Sequence, residues 1–510
     1  MTDDKDQLEE LREKARLQEY VFSSKIPVFG GLITWFRKAW NSVATKWYVR
    51  PLIDQQTAFN LAVVDRLSQQ QKVLDAGAVE LESWLVQEDR EQIRLTRQVA
   101  ELAVRSAQIQ RSAASERPLR IAYFSPFPPA RSGIADYSTE LLPYLARQAA
   151  VTIFSNDLAI ATTAGVPVVP VAEYPACRHQ FDLALYQMGN SEHHDYIYET
   201  LIRYPGIVVL HDYSLHHFVR HHTQRKSDWT GYGRELAYSL GEDGWNIARA
   251  VRVEKTLPAL FDEPLNERVI DVSLGILVHS HYAATGVGNR RPEMPLAVIP
   301  PLIEPHEGHS RRAMLGISEH AVIFGSFGQM TAEKQIEPAL RAFSRVRETY
   351  PDAHYLIVGE AMPDIREKIE GLITESSFAG FVHLIGYVPG IDEFVDWLHT
   401  ADVVVNLRHP TAGETSAIAL RAMAAAKPLI VHDRGWYGEI RDEMAIKVAP
   451  HDSDSLQAAM LQLAESVQLR RAMGQAGQDY TRTFCHPEKV ADSYIQFLGD
   501  TLERLGSIPA

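Results

Sequence analysis

Hydrophobic and polar positions follow two different rhythms along this chain. From Leu32 the apolar residues Leu32, Phe36, Ala39, Trp40, Val43 and Trp47 fall on one stripe of a helix. Residues 54–112 hold Gly77 as their single glycine and no proline, and Phe59, Val63, Leu67, Leu74, Leu81 and Leu85 recur at steps of four or seven. This predicts a long helix or coiled coil whose phase slips too often to set an oligomer state. From Leu119 the rhythm changes to short, wholly apolar runs separated by amphipathic stretches. Strands are predicted at 120–125, 150–155, 183–186, 207–211 and 274–279, then in a second series at 322–328, 353–359, 381–386, 403–407, 429–432 and 445–448. Helices are predicted at 134–148 and 336–348, with a last one at 488–505. Strands apolar on both sides belong to parallel sheets covered on both faces.

Two such series in one chain predict an α/β protein with two Rossmann-like domains. The boundary is expected near 298–307, where VIPPLIEPHE concentrates proline. The expected division is an amphipathic helical segment at 1–53, a long helix or coiled coil at 54–115, a first domain at 116–303, a second at 304–485 and a closing helix at 486–510. Residues 112–116 read as a linker.

Composition narrows the class. A chain of 510 residues with 45% hydrophobic content supports several globular units. The formal net charge of −14 argues against general nucleic-acid binding, which needs basic surface. Cys177 and Cys485 are the only cysteines and match no metal spacing, so a reducing compartment is expected. The charged start MTDDKDQLEELREK has no signal-peptide core, and no run of about 18 apolar residues predicts a membrane span. The expected location is the cytoplasm. Residues 23–53 qualify this: they hold Lys25, Arg37, Lys38, Lys46 and Arg50, no acid, and three tryptophans, Trp35, Trp40 and Trp47. A basic amphipathic helix of this kind suits an anionic membrane surface, here the inner face of the cell membrane. Packing on a partner or on the protein's own body remains an equal alternative, and the long helix leaves a homo-oligomer open.

Ligands of doubly wound sheets bind beyond the carboxyl ends of the strands, so the strand-to-helix junctions carry the candidate chemistry. The first, 125–133, ends on Gly133, at or just before a helix N-terminus suited to an anion, with Asp136 in the first turn. An ordinary loop with a packing glycine explains it as well. The second places His211 and Asp212 at the end of an apolar run, where they can meet hydroxyl groups or serve as structural hydrogen-bonding residues. His217 and His221 nearby have the spacing of a helical metal pair, but no Glu lies between them as in H-E-x-x-H, and a solvated helix face is the better reading. The third runs from Gly328 to Lys334, with a glycine for close backbone approach and a lysine able to reach a diphosphate. It lacks the G-K-[ST] of a P-loop. The fourth, 406–416, is the densest: Arg408, Gly413, Glu414, Thr415 and Ser416 precede an Ala-rich helix. Its hydroxyls and helix N-terminus suit a phosphate, while Glu414 suits either a sugar hydroxyl or a helix cap.

Taken in order, these segments resemble glycosyltransferase family 4 of the GT-B fold over residues 119–505. The resemblance rests on SGIADYS at 132–138, GQMTAEKQ at 328–335, GYVPGIDEFVDWLHTADVVVN at 386–406 and RAMAAAKP at 421–428. Three positions depart from the family pattern: Gln329 replaces an arginine, and Gly413 and Arg421 stand where two glutamates are usual. Glu414 is displaced by one position, in a subgroup-like G-E-T-S loop. The resemblance implies retaining transfer of a hexose-type sugar from a UDP- or GDP-sugar, without metal or bound cofactor, to a glycan, lipid-linked or polysaccharide acceptor. Gly328, Gln329, Lys334, Arg408, Gly413, Thr415, Ser416 and Arg421 would serve the donor and its diphosphate, Arg421 by pairing with a phosphate or else with a carboxylate. His211, Asp212 and Glu414 would be the catalytic candidates, and Gly133 and Asp136 would face the acceptor. The last helix would cross back to the first domain. Competing readings keep the fold and change the role: a nucleotide-sugar epimerase, a phosphorylase-like enzyme, or an inactive GT-B scaffold on a coiled-coil membrane tether.

Overall fold

Helix formation at the start of the chain follows composition. In this computed structural model, which describes residues 2–17, 30–44, 49–113, 117–160, 165–254, 256, 259–375 and 378–507, three helices come first: α1 (Thr2–Ala15), α2 (Gly30–Ala44) and α3 (Arg50–Ala113). The α3 stretch is rich in Ala, Leu, Gln, Glu and Arg, and its proline, Pro51, stands in the first turn, where a missing N–H costs nothing. Trp47, Lys25 and Lys46 of the predicted basic stripe, and residues 114–116 of the predicted linker, lie outside the described residues.

Met1–Gln87 and Glu88–Ala510 form two compact units, so their division falls inside α3. In the first unit α1 runs beside the beginning of α3: Arg12 pairs with Asp65 at 2.8 Å, and Asn60 donates to the Ala15 carbonyl at 3.2 Å. Phe59, Leu67, Leu74 and Leu81 stay exposed. The last part of α3, residues 88–113, is a component of the second unit. Burial pushes the Asp89 carboxyl up, but the guanidinium groups of Arg234 and Arg268 outweigh it and hold it below the usual carboxylate range. Arg90, Arg97 and Arg105 donate to the carbonyls of Tyr238, Asp271 and Leu505 at 2.9, 3.0 and 3.0 Å. Ile93 and Val104 enter the cores on the two faces of the first sheet. The segment expected to precede the fold is therefore partly built into it.

The first sheet contains β1 (Leu119–Phe124), β2 (Ala149–Ser155), β3 (Val168–Pro170), β4 (Leu183–Met188), β5 (Ile207–Leu210), β6 (Gly275–Val278) and β7 (Leu296–Val298), in the order β3-β2-β1-β4-β5-β6-β7. The second contains β8 (Ile323–Phe327), β9 (His354–Val358), β10 (Val382–Gly386), β11 (Val403–Val405), β12 (Leu429–His432) and β13 (Ala445–Val448), in the order β10-β9-β8-β11-β12-β13. All the strand pairings are parallel. The pleat of β1 sends Ile121 and Tyr123 to one core and Ala122 and Phe124 to the other, where Phe124 stacks on Phe154 and Tyr186. Burying a large apolar side chain such as Ile121 or Phe124 stabilises the fold by roughly 1.5–3 kcal/mol. The predicted strands are present. The two unforeseen ones, β3 and β7, are half-buried edge strands of three residues, too short and too mixed to show as apolar runs.

α4 (Gly133–Leu145) follows β1 and packs against the helix Pro487–Ser507, which ends the described chain. The Tyr137 and Tyr494 hydroxyls meet at 2.7 Å, and Val490, Ala491, Leu498, Leu502 and Leu505 lie in the core of the first sheet. The connection between the sheets is pinned where Ile303 N–H donates to the Cys485 carbonyl at 2.9 Å. Among the described residues, no helix is long and apolar enough to cross a membrane.

Candidate active site

Strand order reverses between β1 and β4 in the first sheet and between β8 and β11 in the second. Both reversal points open into one cleft of about 760 Å³. Ser132, Gly133, Asn190 and Ser191 line it from the ends of β1 and β4. Gln329, Thr331, Glu333, Arg408, Glu414 and Thr415 line it from the ends of β8 and β11. This is where an open α/β sheet binds ligands, duplicated and set face to face.

On the second wall, Gly328 leaves β8 with φ +87°, a conformation that favours glycine, and a Cβ there would sit 2.4 Å from Ile418 Cδ1. Lys334 closes the short turn Ala332–Lys334, just before the helix Ile336–Thr349. Its ammonium donates to the Phe327 carbonyl at 2.9 Å. Burial, then the nearby Arg408 charge, brings the Lys334 pKa down to about 7, with Glu414 pulling the other way. A lysine so placed regains its charge when an anion arrives.

The loop after β11 is held by its own polar groups. Glu414 pairs with Arg408 and accepts from Thr411 Oγ1 and Ala412 N–H, each at 2.8 Å. Glu414 therefore reaches the cleft as the brace of this loop rather than as a carboxylate free for a ribose or sugar hydroxyl. Gly413, at φ +75°, does not line the cleft; a Cβ there would lie 2.6 Å from Tyr213 Cβ. Ser416 is the N-cap of the helix Ala417–Ala424: its hydroxyl accepts from Ala419 N–H at 3.1 Å and from Asn406 Nδ2 at 2.8 Å. Capping turns it away from the cleft, and Thr415 is the loop hydroxyl that faces inward. Arg421, expected to meet a phosphate or a carboxylate, pairs with Glu140 of α4 and ties the two domains together. Asp136 sits in the field of Arg421; burial raises its pKa and Arg421 opposes this, and it is not part of the cleft lining.

The first wall is built around Asn190, which follows β4. Its N–H donates to Asp212 Oδ2 at 2.8 Å, its Oδ1 accepts from Phe218 N–H at 2.8 Å, and its Nδ2 meets His217 Nδ1 at 3.2 Å. Burial, with Glu414 adding to it, raises the Asp212 pKa to about 7 against the opposing pulls of Asn190 N–H and Arg408. Asp212 is thus a cleft carboxyl that changes charge near neutrality.

His211 has no free nitrogen. His279 Nδ1 faces the Ile299 carbonyl at 2.7 Å, so that nitrogen carries the proton and His279 Nε2 accepts from His211 Nδ1 at 3.2 Å. His211 Nε2 then holds a lone pair toward the Gln187 amide at 2.7 Å. Turning that amide over makes its NH₂ the donor and gives a partner to Gln187 Nε2, a buried group otherwise without one. Burial and the neighbouring His279 keep the His211 pKa well below its usual value. His211 is a neutral, fixed element of the wall and not a free base.

Ser132 caps α4, with Ile134 N–H donating to its hydroxyl at 3.3 Å, and Gly133 borders open space. His217 lines the cleft against Phe261, whereas His221 turns to Glu192 at 3.2 Å, so the two histidines do not share a ligand position. Sequence reasoning missed Asn190, Phe261 and Met362, and it missed the buried Tyr437 that stands beside Arg408 and Ser416 behind the second wall. It also missed two ties between the domains. Ser214 N–H donates to the Ala412 carbonyl at 2.7 Å, and Glu439 accepts from His281 and Tyr282 N–H at 2.9 and 2.6 Å.

Comparison with known proteins places this geometry. Residues 321–466, which include β8 through the helix Ser453–Glu465, match the family model described as glycosyl transferases group 1. Glycogen synthase of Mycobacterium tuberculosis is 29% identical over 137 residues, 26% of this chain and 31% of the synthase. The chain thus matches about a third of the length of that curated relative. Among solved structures, Anabaena HepE in complex with UDP superposes with a TM-score of 0.55 at 16% identity, covering 75% of this chain and all (100%) of that one. Sucrose-phosphate synthase from Thermosynechococcus elongatus gives 0.54 at 17% identity over 76% and 100%. The fold is GT-B: two facing Rossmann-like domains, with a long helix ahead of them.

Proposed function

We propose that this protein is a glycosyltransferase that moves a hexose-type sugar from a UDP- or GDP-sugar to a glycan, lipid-linked or polysaccharide acceptor. The observation that carries the reading is the pairing of walls. A wall with Arg408, Thr415 and the N-terminus of the helix Ala417–Ala424, backed by the buried ammonium of Lys334 beside Gly328, faces a wall of neutral and titratable groups, Asn190, His211, Asp212 and His217. The family match over the second domain and the UDP bound to the Anabaena protein of the same fold support it further.

In this reading the diphosphate rests against Lys334, Arg408 and the helix N-terminus, with Thr415 as a hydroxyl donor. The bond from the anomeric carbon to the diphosphate oxygen breaks, and negative charge collects where these groups already point. The acceptor oxygen bonds to the same carbon on the same face, giving retention, and its proton leaves with the nucleoside diphosphate. Asp212 and Asn190 orient the reacting hydroxyl, and His211 fixes the shape of the wall. Lys334 and Arg408 fill the role a divalent cation fills elsewhere, so chelators should leave the rate unchanged.

A panel of labelled UDP- and GDP-sugars offered with and without glycan or lipid-linked acceptors tests this. The expected outcome is nucleotide release with label in the acceptor, lost in Lys334→Ala. An isomerised sugar without transfer would make the protein an epimerase. No turnover, together with no thermal stabilisation by any nucleotide, would make it a scaffold.

A further inference from the structure

α2 carries an apolar surface that the catalytic reading does not use. Leu32, Trp35, Phe36 and Trp40 are 71, 68, 63 and 70% exposed. Their positions, three, four and eight residues after Leu32, put them on one side of the helix. The helix backbone places Arg37 and Lys38 at the two edges of that side. Around it, residues 23–53 carry five cations and no acid, in a chain whose net charge is −14. The attraction to an anionic surface is therefore local to this segment, and the rest of the chain opposes it.

Length and composition select the kind of surface. α2 has 15 residues and rises about 22 Å, short of the ~30 Å hydrocarbon core of a bilayer. It can lie in the boundary between headgroups and acyl chains but cannot cross. Tryptophan is the side chain best suited to that boundary, with an apolar ring system and one N–H for water or a headgroup. Basic residues at the rim of an apolar face reach lipid phosphates while their stems stay in the apolar layer. A protein groove would also cover two tryptophans, but it would not call for an unbroken absence of acid over the flanking residues.

We infer that α2 docks the protein on an anionic lipid surface, its apolar face in the headgroup boundary and its basic edges on the lipid phosphates. The inference is independent of the sugar-transfer reading and stands if that reading fails. The test is flotation of the full chain with phosphatidylcholine vesicles, with and without phosphatidylglycerol. The chain should rise with the anionic vesicles, stay behind with the neutral ones, and be released by salt. Its tryptophan emission should shift to the blue on binding. Replacing Trp35, Phe36 and Trp40 together by Ser should weaken vesicle binding at least about tenfold. Lys38→Glu should weaken it about fivefold or more. The thermal unfolding midpoint and the far-UV circular dichroism should stay unchanged in both variants, showing that they fold. Failure of the wild-type chain to float, or flotation of the triple variant equal to wild type, overturns the proposal. So does a wild-type chain that does not float but sediments as an oligomer that the triple variant dissolves, which would assign the stripe to a second copy.

Discussion

The wall contributed by the first sheet and the wall contributed by the second have the same topology and different charge. Each is the reversal point of a parallel sheet, with two loops and a following helix. The first offers Asn190, His211, Asp212 and His217, groups that are neutral or change charge near pH 7. The second offers Arg408, paired with Glu414, beside a helix N-terminus, with the ammonium of Lys334 buried behind Gly328. The difference shows that topology sets where a ligand sits while the loop residues set which half of the ligand goes where. In the proposed reading the phosphate-bearing leaving group lies with Arg408, Lys334 and the helix N-terminus, and the uncharged hydroxyls lie with the amide and the carboxyl.

The largest expected effect removes the cation buried behind the second wall. Lys334→Ala should lower kcat/KM about 100-fold, the loss of one preorganised donor, and weaken nucleotide binding in calorimetry. Lys334→Arg should not restore it, because the buried ammonium has the Phe327 carbonyl as its acceptor, and a guanidinium would bring further N–H donors into a site without partners for them. If Lys334→Ala leaves both quantities unchanged, the walls do not differ as argued.

Next comes the loop brace. Glu414→Gln removes the partner of Arg408 and weakens the bonds from Thr411 and Ala412. It should cost ~2 kcal/mol of stability in denaturant unfolding. Nucleotide affinity should fall with it, because the same loop holds Arg408 and Thr415.

On the first wall the effect should be smaller and of another kind. Asp212→Asn should lower kcat/KM about tenfold at pH 8 and leave nucleotide affinity within about twofold. In the unmodified protein the rate should fall as pH drops through about 7, where this carboxyl gains its proton, and the variant should lack that limb.

The smallest signal is protonic. With its pKa near 7 in the empty cleft, Lys334 is largely neutral above that pH. A diphosphate favours the ammonium, so binding at pH 8 should take up part of a proton, read from calorimetry in buffers of different ionisation enthalpy. Affinity should weaken as pH rises above 7. Asp212→Asn should keep most of this dependence, and Lys334→Ala should abolish it.

The fold was legible because its interior strands are wholly apolar runs followed by polar loops. β8, β9, β11 and β12 are fully buried and stand out in the sequence, whereas β3 and β7 are edge strands and do not. The site was legible by location, and individual roles were harder to read. Lys334 and Arg408 were singled out because each is a cation in the loop after a buried strand, and the structure puts Arg408 on the cleft and Lys334 buried behind it. For Ser416 and Arg421 the sequence does not show which partner the side chain takes. One is a backbone N–H three residues on, and the other is a glutamate 281 residues earlier. His211 is a polar residue at a strand end in the sequence, but its neutrality depends on Gln187, His279 and Ile299, which only folding assembles. Asn190 had a readable signal, since it follows the run ending at Met188 on the other side of the same reversal point.

The helix Pro487–Ser507 has a consequence for biosynthesis. Because Val490, Tyr494, Leu498 and Leu502 complete a core begun by Leu119 and Ile121, the domain translated first is finished last. The later domain, whose two cores draw on residues 303–485, can close while the earlier one still lacks part of its interior on the ribosome. A fragment ending near residue 303 would leave that interior open to water. Stop codons late in the reading frame would therefore damage the earlier domain more than the one they fall beside.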